Sequence, residues 1–161
     1  MRADGQGSGA ARAAIALTVV LGGLVSMVTA SPAGTVSPAT QELLRSSSYI
    51  YVATQRKNGE LSEAAPIWFV YDGDEIFFTT GPESWKAKRI ARGSPLTIHV
   101  GSRTGPMLVG KATKVTDPAL IDRMGRTYSD KYWIAWLGLF RPRSERVTAG
   151  KTVAYFVDVE E

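Results

Sequence analysis

The chain of 161 residues is long enough for one domain with a hydrophobic core and too short for two ordinary domains. Its 44% hydrophobic and 21% charged residues are typical of a folded globular protein rather than a disordered one. The absence of Cys and the single His, His99, exclude disulfides, thiolate chemistry and the usual Cys/His zinc sites, and no metal site is predicted. The net charge of +4 suits a small anionic ligand. Because no long block of Lys and Arg occurs, nucleic acid is not an expected partner.

The first thirty residues have the layout of a secretory signal peptide. Arg2 and Arg12 stand before an uncharged stretch over residues 13–28, and Ala30 ends a run of small residues that suits cleavage. We therefore expect residues 1–30 to be a signal peptide or, where they are not cleaved, a membrane anchor. The protein is then exported or membrane-anchored, and it meets a membrane only if this leader is retained.

An alternative start places the protein in the cytoplasm. If translation begins at Met27, the chain carries no leader. The residues after the leader, 31–43, are predicted to form a linker and a short helix that begins at the Ser37-Pro38 cap. The folded domain is predicted to occupy residues 44–161.

The pattern of hydrophobic and turn residues predicts six strands. The first two, over 49–55 and 61–71, flank the Asn58-Gly59 hairpin turn, and Pro66 marks an edge or bulge in the second. The other predicted elements are, in chain order, a strand at 75–80, a helix at 83–92 before Gly93, strands at 96–100 and 107–115, a helix from Pro118, a second helical piece from Ser129 to about Leu139, and a strand at 152–159. Tight turns between most strands indicate a mainly β (α+β) fold, a six-stranded antiparallel barrel with flanking helices.

Residues 77–90 are the strongest candidate for an anion site. The predicted strand ends at Thr79-Thr80, a Gly-Pro pair breaks the chain, and the helix that follows carries Ser84 and Lys86. Hydroxyl groups, an ammonium group and the unpaired N–H groups of a helix start are the donors that a phosphate needs. The alternative is an amphipathic helix whose Lys and Arg side chains only face water.

Several aromatic and histidine side chains have structural explanations. His99 lies on the face of its strand opposite Ile98 and is expected to be exposed or hydrogen-bonded. Trp85 is expected to anchor its helix to the barrel. Four aromatic residues at helical spacing are expected to pack in the core or at a dimer interface: Tyr128, Tyr132, Trp133 and Trp136.

The order of these elements resembles the pyridoxamine 5′-phosphate oxidase-like family of flavin-binding split barrels, from about Leu44 to the C-terminus. The residues that carry the resemblance are Tyr51-Val52-Ala53-Thr54, Ala65-Pro66-Ile67-Trp68-Phe69, Asp72-Gly73, Thr79-Thr80 with Ser84, Lys86, Lys88, Arg89 and Ile90, and Leu108-Val109-Gly110-Lys111-Ala112. The resemblance implies a split β-barrel and a homodimer with the cofactor at its interface. The implied cofactor is FMN, with the deazaflavin coenzyme F420 as the alternative.

The resemblance also implies roles for residues and an activity. The phosphate would be held by Thr79, Thr80, Ser84 and Lys86, with Lys88 or Arg89 as a second cation, and the flat ring would be lined by Ala65, Pro66, Ile67 and Trp68. The implied function is that of a flavin-dependent oxidoreductase that transfers hydride to or from a small organic substrate. The alternative is a non-catalytic carrier of haem, another tetrapyrrole or flavin, with His99 as a ligand. No catalytic residue is predicted.

The sequence departs from that of a full oxidase at its C-terminal side. We find no Arg-rich substrate segment there, and the nearby candidates are Arg141, Arg143 and Arg146. The Arg141-Pro142-Arg143 segment could bind a second anion, such as a substrate carboxylate, but a solvated loop is the simpler interpretation. Oxidation of pyridoxamine phosphate is therefore not the expected reaction.

Overall fold

The computed structural model of the protein describes residues 36–72, 75–132 and 141–160. The elements in these ranges are α1 (Pro38–Ser46), β1 (Ile50–Thr54), β2 (Ala65–Ile67), β3 (Phe69–Asp72), β4 (Glu75–Thr80), α2 (Trp85–Ile90), β5 (Leu96–Val100), β6 (Met107–Val115), α3 (Pro118–Lys131), α4 (Ser144–Thr148) and β7 (Val153–Glu160). No helix within these ranges is long and apolar enough to cross a membrane. The predicted leader, most of the linker, Gly73, Trp133 and Trp136 lie outside the described residues.

The strands of the described ranges pair into one antiparallel sheet in the order β2-β1-β5-β6-β7-β4-β3. Its two edge strands, β2 and β3, are separated in the chain by Trp68 alone. The sheet must therefore curl until its edges meet, and it forms a nearly closed barrel. This confirms the predicted mainly β barrel with flanking helices, with seven strands where six were expected.

The prediction of one strand over 61–71 was wrong, because this segment forms the two strands β2 and β3. β2 pairs with β1, so that Pro66 lies opposite Tyr51, whereas β3 pairs with β4, so that Phe69 lies opposite Phe78. Both halves are rich in β-forming residues, and a hydrophobic run does not reveal a change of partner. Pro66 lies on an edge strand, where no N–H group is needed, as predicted.

Local capping signals located the starts of two helices. Ser37 caps α1, and Asp117 caps α3 by accepting the N–H of Ala119 at 2.9 Å. Ser129, however, does not begin a second helical piece. It lies inside α3, where its hydroxyl group donates to the carbonyl oxygen of Gly125 at 3.1 Å. A serine at this position can satisfy its hydroxyl group within the same helix, so the sequence signal was misleading.

Two hydrophobic cores lie on opposite faces of the sheet. Ile76 and Phe78 of β4 belong to the core inside the barrel, and Phe77 between them belongs to the core beneath α3. Because side chains alternate along a strand, a continuous hydrophobic strand can be buried on both faces. The outer core consists of Val70, Phe77, Val115, Ile121, Met124, Tyr128, Tyr132 and Ala154.

Tyr128 of α3 and Tyr132, the C-cap residue of this helix, satisfy the backbone where the chain passes from β2 to β3. Tyr128 donates its hydroxyl proton to the carbonyl oxygen of Trp68 at 2.7 Å. The N–H of Phe69 donates to the hydroxyl oxygen of Tyr132 at 3.1 Å, and that hydroxyl group lies 2.8 Å from the carbonyl oxygen of Ser48. Burial raises the pKa of Tyr132 to about 12 and raises the pKa of Tyr128 well above its usual value. Both side chains are therefore neutral donors, and their predicted packing in the core is confirmed.

We expect Tyr132→Phe to lower the free energy of unfolding by about 1–3 kcal/mol, because the buried N–H of Phe69 loses its acceptor. Urea denaturation followed by circular dichroism measures the change. Tyr49→Phe is the matched control, since Tyr49 is 42% exposed and its substitution should cost less than about 0.5 kcal/mol. Equal stability of Tyr132→Phe and the wild type would show that this contact does not hold the barrel closed.

Candidate functional site

The hydroxyl groups of Thr80 and Ser84 meet where β4 ends and α2 begins. Ser84 is the N-cap of α2, and its Oγ accepts the N–H of Ala87 at 3.1 Å. The same oxygen lies 3.2 Å from Oγ1 of Thr80. Two of the predicted phosphate ligands are thus brought together. The helix covers Trp85–Ile90, which is shorter than the predicted 83–92.

The strand register places this hydroxyl pair beside the seam of the barrel. Phe69 lies opposite Phe78, so the same register would place Ile67 opposite Thr80. Ile67 belongs to β2, however, and pairs with β1 instead of β4. Thr80 therefore lies at the end of β4 next to the edge strand β2. Thr79 points to the opposite face from Thr80 because side chains alternate, so it is not part of the hydroxyl pair.

Lys86 is a half-buried cation two residues beyond the hydroxyl pair. Its ammonium group makes no hydrogen bond or ion pair with any residue in the described ranges. Burial without a compensating charge lowers the pKa of Lys86 to about 8. A desolvated ammonium group of this kind is unfavourable in the folded protein until an anion joins it.

The other two predicted cations of α2 already have partners. Nζ of Lys88 lies 2.8 Å from a carboxylate oxygen of Glu83 in an exposed ion pair. Nη1 of Arg89 donates to Oγ1 of the buried Thr54 at 3.2 Å. Arg89 therefore turns towards the end of the barrel, and it is better placed than Lys88 as a second cation. The sequence analysis did not assign Thr54 to the site, because only its long-range contact with Arg89 places it there.

The residues predicted to line a flat ring occupy three different environments. Ala65 and Pro66 are exposed on β2, which has no strand on its outer side among the described residues. Ile67 belongs to the core inside the barrel. The ring of Trp68 stacks on Tyr132, with centroids 4.7 Å apart and planes 7° apart. The backbone edge at Ala65 and Pro66, rather than the Trp68 ring, is therefore the surface open to a ligand.

Trp85 does not anchor α2, which corrects the sequence-based expectation. Its side chain is 71% exposed, and the cationic groups of Lys88 and Arg89 lie 5.8 and 5.9 Å from its ring centroid. The buried face of this short helix is supplied by Ala87 and Ile90 instead. The prediction was wrong because helical spacing over six residues does not show which of several apolar residues faces the sheet.

His99 is hydrogen-bonded, which is one of the two states expected from the sequence. Its Nδ1 lies 3.2 Å from the carbonyl oxygen of Gly105. A carbonyl oxygen can only accept, so Nδ1 carries the proton and Nε2 retains its lone pair in the neutral ring. No group of three or more His, Cys, Asp or Glu side chains within the described ranges could hold a metal ion.

The fold is a split β-barrel, and the hydroxyl pair of Thr80 and Ser84 lies at the end of β4, where α2 with its cationic side chains begins. A sequence profile of the family described as pyridoxamine 5′-phosphate oxidase matches residues 36–160. The chain therefore belongs to the pyridoxamine 5′-phosphate oxidase family. No curated protein matches the sequence significantly.

Solved structures share the fold at low sequence identity. A candidate pyridoxamine 5′-phosphate oxidase of Listeria innocua is 16% identical over 76% of this chain and 92% of its own, with a TM-score of 0.56. An F420 reductase is 22% identical over 78% and 97% of the two chains, with a TM-score of 0.53. The haem storage protein HutZ of Vibrio cholerae is 13% identical over 78% and 90%, with a TM-score of 0.54. Proteins of this fold thus include a reductase and a haem storage protein.

We expect Lys86→Met to raise the Tm of the ligand-free protein at neutral pH, because it removes a desolvated charge and keeps an apolar stem. The folded pKa of about 8 lies below the ordinary value of 10.5, so wild-type stability should rise with pH between these values. The difference in Tm between Lys86→Met and the wild type should therefore become smaller as the pH rises from about 8 to 10.5. Calorimetric melting at neutral pH and near pH 10 measures both effects.

The exposed Lys111 provides the matched control for this experiment. Lys111→Met should leave the Tm nearly unchanged at both pH values, because the wild-type side chain is already solvated. A lower Tm for Lys86→Met at neutral pH would mean that the ammonium group stabilises the ligand-free protein, contrary to this account.

Proposed function

We propose that the protein binds FMN, or the deazaflavin coenzyme F420, through a phosphate group and works as a flavin-dependent oxidoreductase acting on a small organic substrate. One observation carries the proposal: the hydroxyl groups of Thr80 and Ser84 lie 3.2 Å apart at the start of α2, and Lys86 of this helix is half-buried with no anionic partner in the described ranges. Membership of the pyridoxamine 5′-phosphate oxidase family supports it.

The side chains present suit a phosphate group. Thr80 and Ser84 share one hydroxyl proton between their oxygens, so the second hydroxyl proton is left to donate outward. Lys86 adds a positive charge, and Arg89 retains N–H groups beyond the one directed to Thr54. Two hydroxyl groups and two cations can therefore satisfy several of the acceptor oxygens of a phosphate.

The exposed edge of β2 is the surface that suits the flat ring of the cofactor. It adjoins the hydroxyl pair, because Ile67 is level with Thr80 in the register. Pro66 has no N–H group, so a ring can approach it without burying an unsatisfied donor. A bound flavin or deazaflavin supplies the hydride chemistry, whereas this chain holds the phosphate and contacts the edge of the ring.

We also propose a homodimer that uses the outer face of β1, β5 and β6. Met107 and Val109 of β6 are 54% and 47% exposed on this face. A sheet face in water is usually polar, so exposed apolar side chains on one face indicate a contact surface. The family resemblance argues that a second copy of the chain covers it. The face consists of two cross-strand rows, Tyr51-His99-Met107 and Ala53-Thr97-Val109.

We expect Lys86→Ala to weaken FMN binding about tenfold or more, because a charge-assisted contact to phosphate is lost. Riboflavin, which has no phosphate, should bind the variant and the wild type equally. Lys57→Ala removes an exposed lysine that lies outside α2 and outside the two rows of the proposed dimer face, and it should leave FMN affinity unchanged. Quenching of flavin fluorescence measures the affinities, and F420 is titrated in parallel.

Unchanged FMN and F420 affinity in Lys86→Ala would remove the phosphate assignment. Reversible bleaching of the visible band of the bound cofactor by a reductant and an acceptor tests hydride transfer. A protein that binds cofactor but never bleaches would be a carrier rather than an oxidoreductase.

A haem carrier is the second candidate, and His99 is the observation that favours it. Its Nδ1 donates to the Gly105 carbonyl, an arrangement that fixes the ring and leaves Nε2 available to a metal. A Soret band on titration with haemin that is lost in His99→Ala, without flavin binding, would favour this function. We prefer the flavin because the unpaired ammonium group of Lys86 suits an anion such as phosphate, whereas it cannot be a ligand to a metal while it is protonated.

The proposed dimer makes a separate prediction. Val109→Glu should convert the dimer to a monomer in size-exclusion chromatography with light scattering, because each interface would bury two carboxylates without partners. Thr116→Glu adds the same charge at an exposed position outside the two rows and should leave the dimer intact. A wild-type protein that is monomeric at micromolar concentration would contradict the dimer.

A further inference from the structure

A surface cavity of about 580 Å³ lies between α3 and α4. Its volume is in the range that accommodates small organic ligands. Four arginines against two carboxylates leave an excess of two positive charges. The lining residues are Asp122, Arg126, Arg141, Arg143, Glu145 and Arg146.

The walls of this arginine cavity are held in place by close packing. A Cβ atom on Gly125 would lie 2.5 Å from the carbonyl oxygen of the buried Pro142, so the glycine permits this segment to approach α3. The carboxylate of Asp122 accepts the N–H of Ser144 at 3.2 Å and its hydroxyl proton at 3.1 Å. The arginines on α3 and those around α4 are thereby kept on the two sides of one cavity.

Most of the positive charge in the cavity is not neutralised. Both oxygens of Asp122 are occupied by Ser144. In the part of the chain that the structure describes, the guanidinium groups of Arg126, Arg141 and Arg146 make no ion pair or hydrogen bond. A guanidinium group binds phosphate or carboxylate with two parallel N–H donors, so these three side chains together suit a ligand with several anionic groups.

The arginine cavity is separate from the proposed flavin site. Nε of Arg123 on α3 lies 3.8 Å from the carboxylate of Asp72, which pairs with Glu75 at the start of β4. Thr80 lies at the other end of β4, about 16 Å away at the usual rise per residue. Arg126, which lines the cavity, is exposed on α3 two residues before the buried Tyr128, so its side chain lies on the side of the helix away from the sheet that carries Thr80.

We propose that the arginine cavity binds a small polyanion, a molecule with two or more phosphate or carboxylate groups. Such a ligand adds a second binding site to the barrel, and the site does not depend on the flavin. Glu145 also lines the cavity and weakens the binding of an anion, because a like charge beside the ligand is repulsive.

Isothermal titration calorimetry with inorganic pyrophosphate at constant ionic strength tests the proposal. The titration uses Lys86→Ala, which lacks the cation of the proposed flavin phosphate site, and we expect saturable binding to one site per chain. Adding Arg126→Gln and Arg146→Gln to this variant should weaken binding at least about tenfold, because two charge-assisted contacts are lost. Adding Lys111→Gln instead should leave the affinity unchanged, and circular dichroism confirms that each variant is folded.

The same titrations define the results that would overturn the proposal. These are the absence of saturable binding of millimolar pyrophosphate to Lys86→Ala, or equal affinity of Lys86→Ala with and without the two arginine substitutions. Citrate in a parallel titration separates the two ligand chemistries, since tighter pyrophosphate binding supports a phosphate ligand and tighter citrate binding supports a carboxylate. Failure of FMN binding in the separate fluorescence titration leaves this result unaffected.

Discussion

The closure of the barrel depends on side-chain hydrogen bonds to the backbone at Trp68 and Phe69, where the chain leaves the edge strand β2 and enters the edge strand β3. An interrupted strand leaves a carbonyl and an N–H group without a neighbouring strand, and burying either one without a partner costs about 1–3 kcal/mol. Tyr128 of α3 donates to the carbonyl oxygen of Trp68, and Tyr132 at the end of the same helix accepts the N–H of Phe69. The helix therefore permits β2 to leave β4 and pair with β1, and this opens the seam beside Thr80, where the candidate site lies.

Features that depend on neighbouring residues were predictable from the sequence. The caps at Ser37 and Asp117 and the Asn58-Gly59 turn involve residues only a few positions apart, so their local sequences determine them. The same holds for the pairing of Thr80 with Ser84, which are four positions apart. The order of these local features also carried the family resemblance.

Features that depend on distant residues were not predictable. The division of the 61–71 run into two strands is set by β1, β4 and two tyrosines that lie far along the chain. The contact of Arg89 with Thr54 joins residues 35 positions apart, and no local pattern marks it. The exposure of Trp85 and the unpaired charge of Lys86 are likewise properties of the surroundings, because the same residues on another surface would be buried or solvated.

The short edge strands also affect how the protein behaves when it is concentrated. A long, flat, exposed strand edge is a template on which another chain can add a strand and begin aggregation. Here β2 has three residues and β3 has four, and Pro66 removes one donor from the first. The seam can therefore stay open to a small ligand while it offers too few consecutive backbone groups for fibril growth.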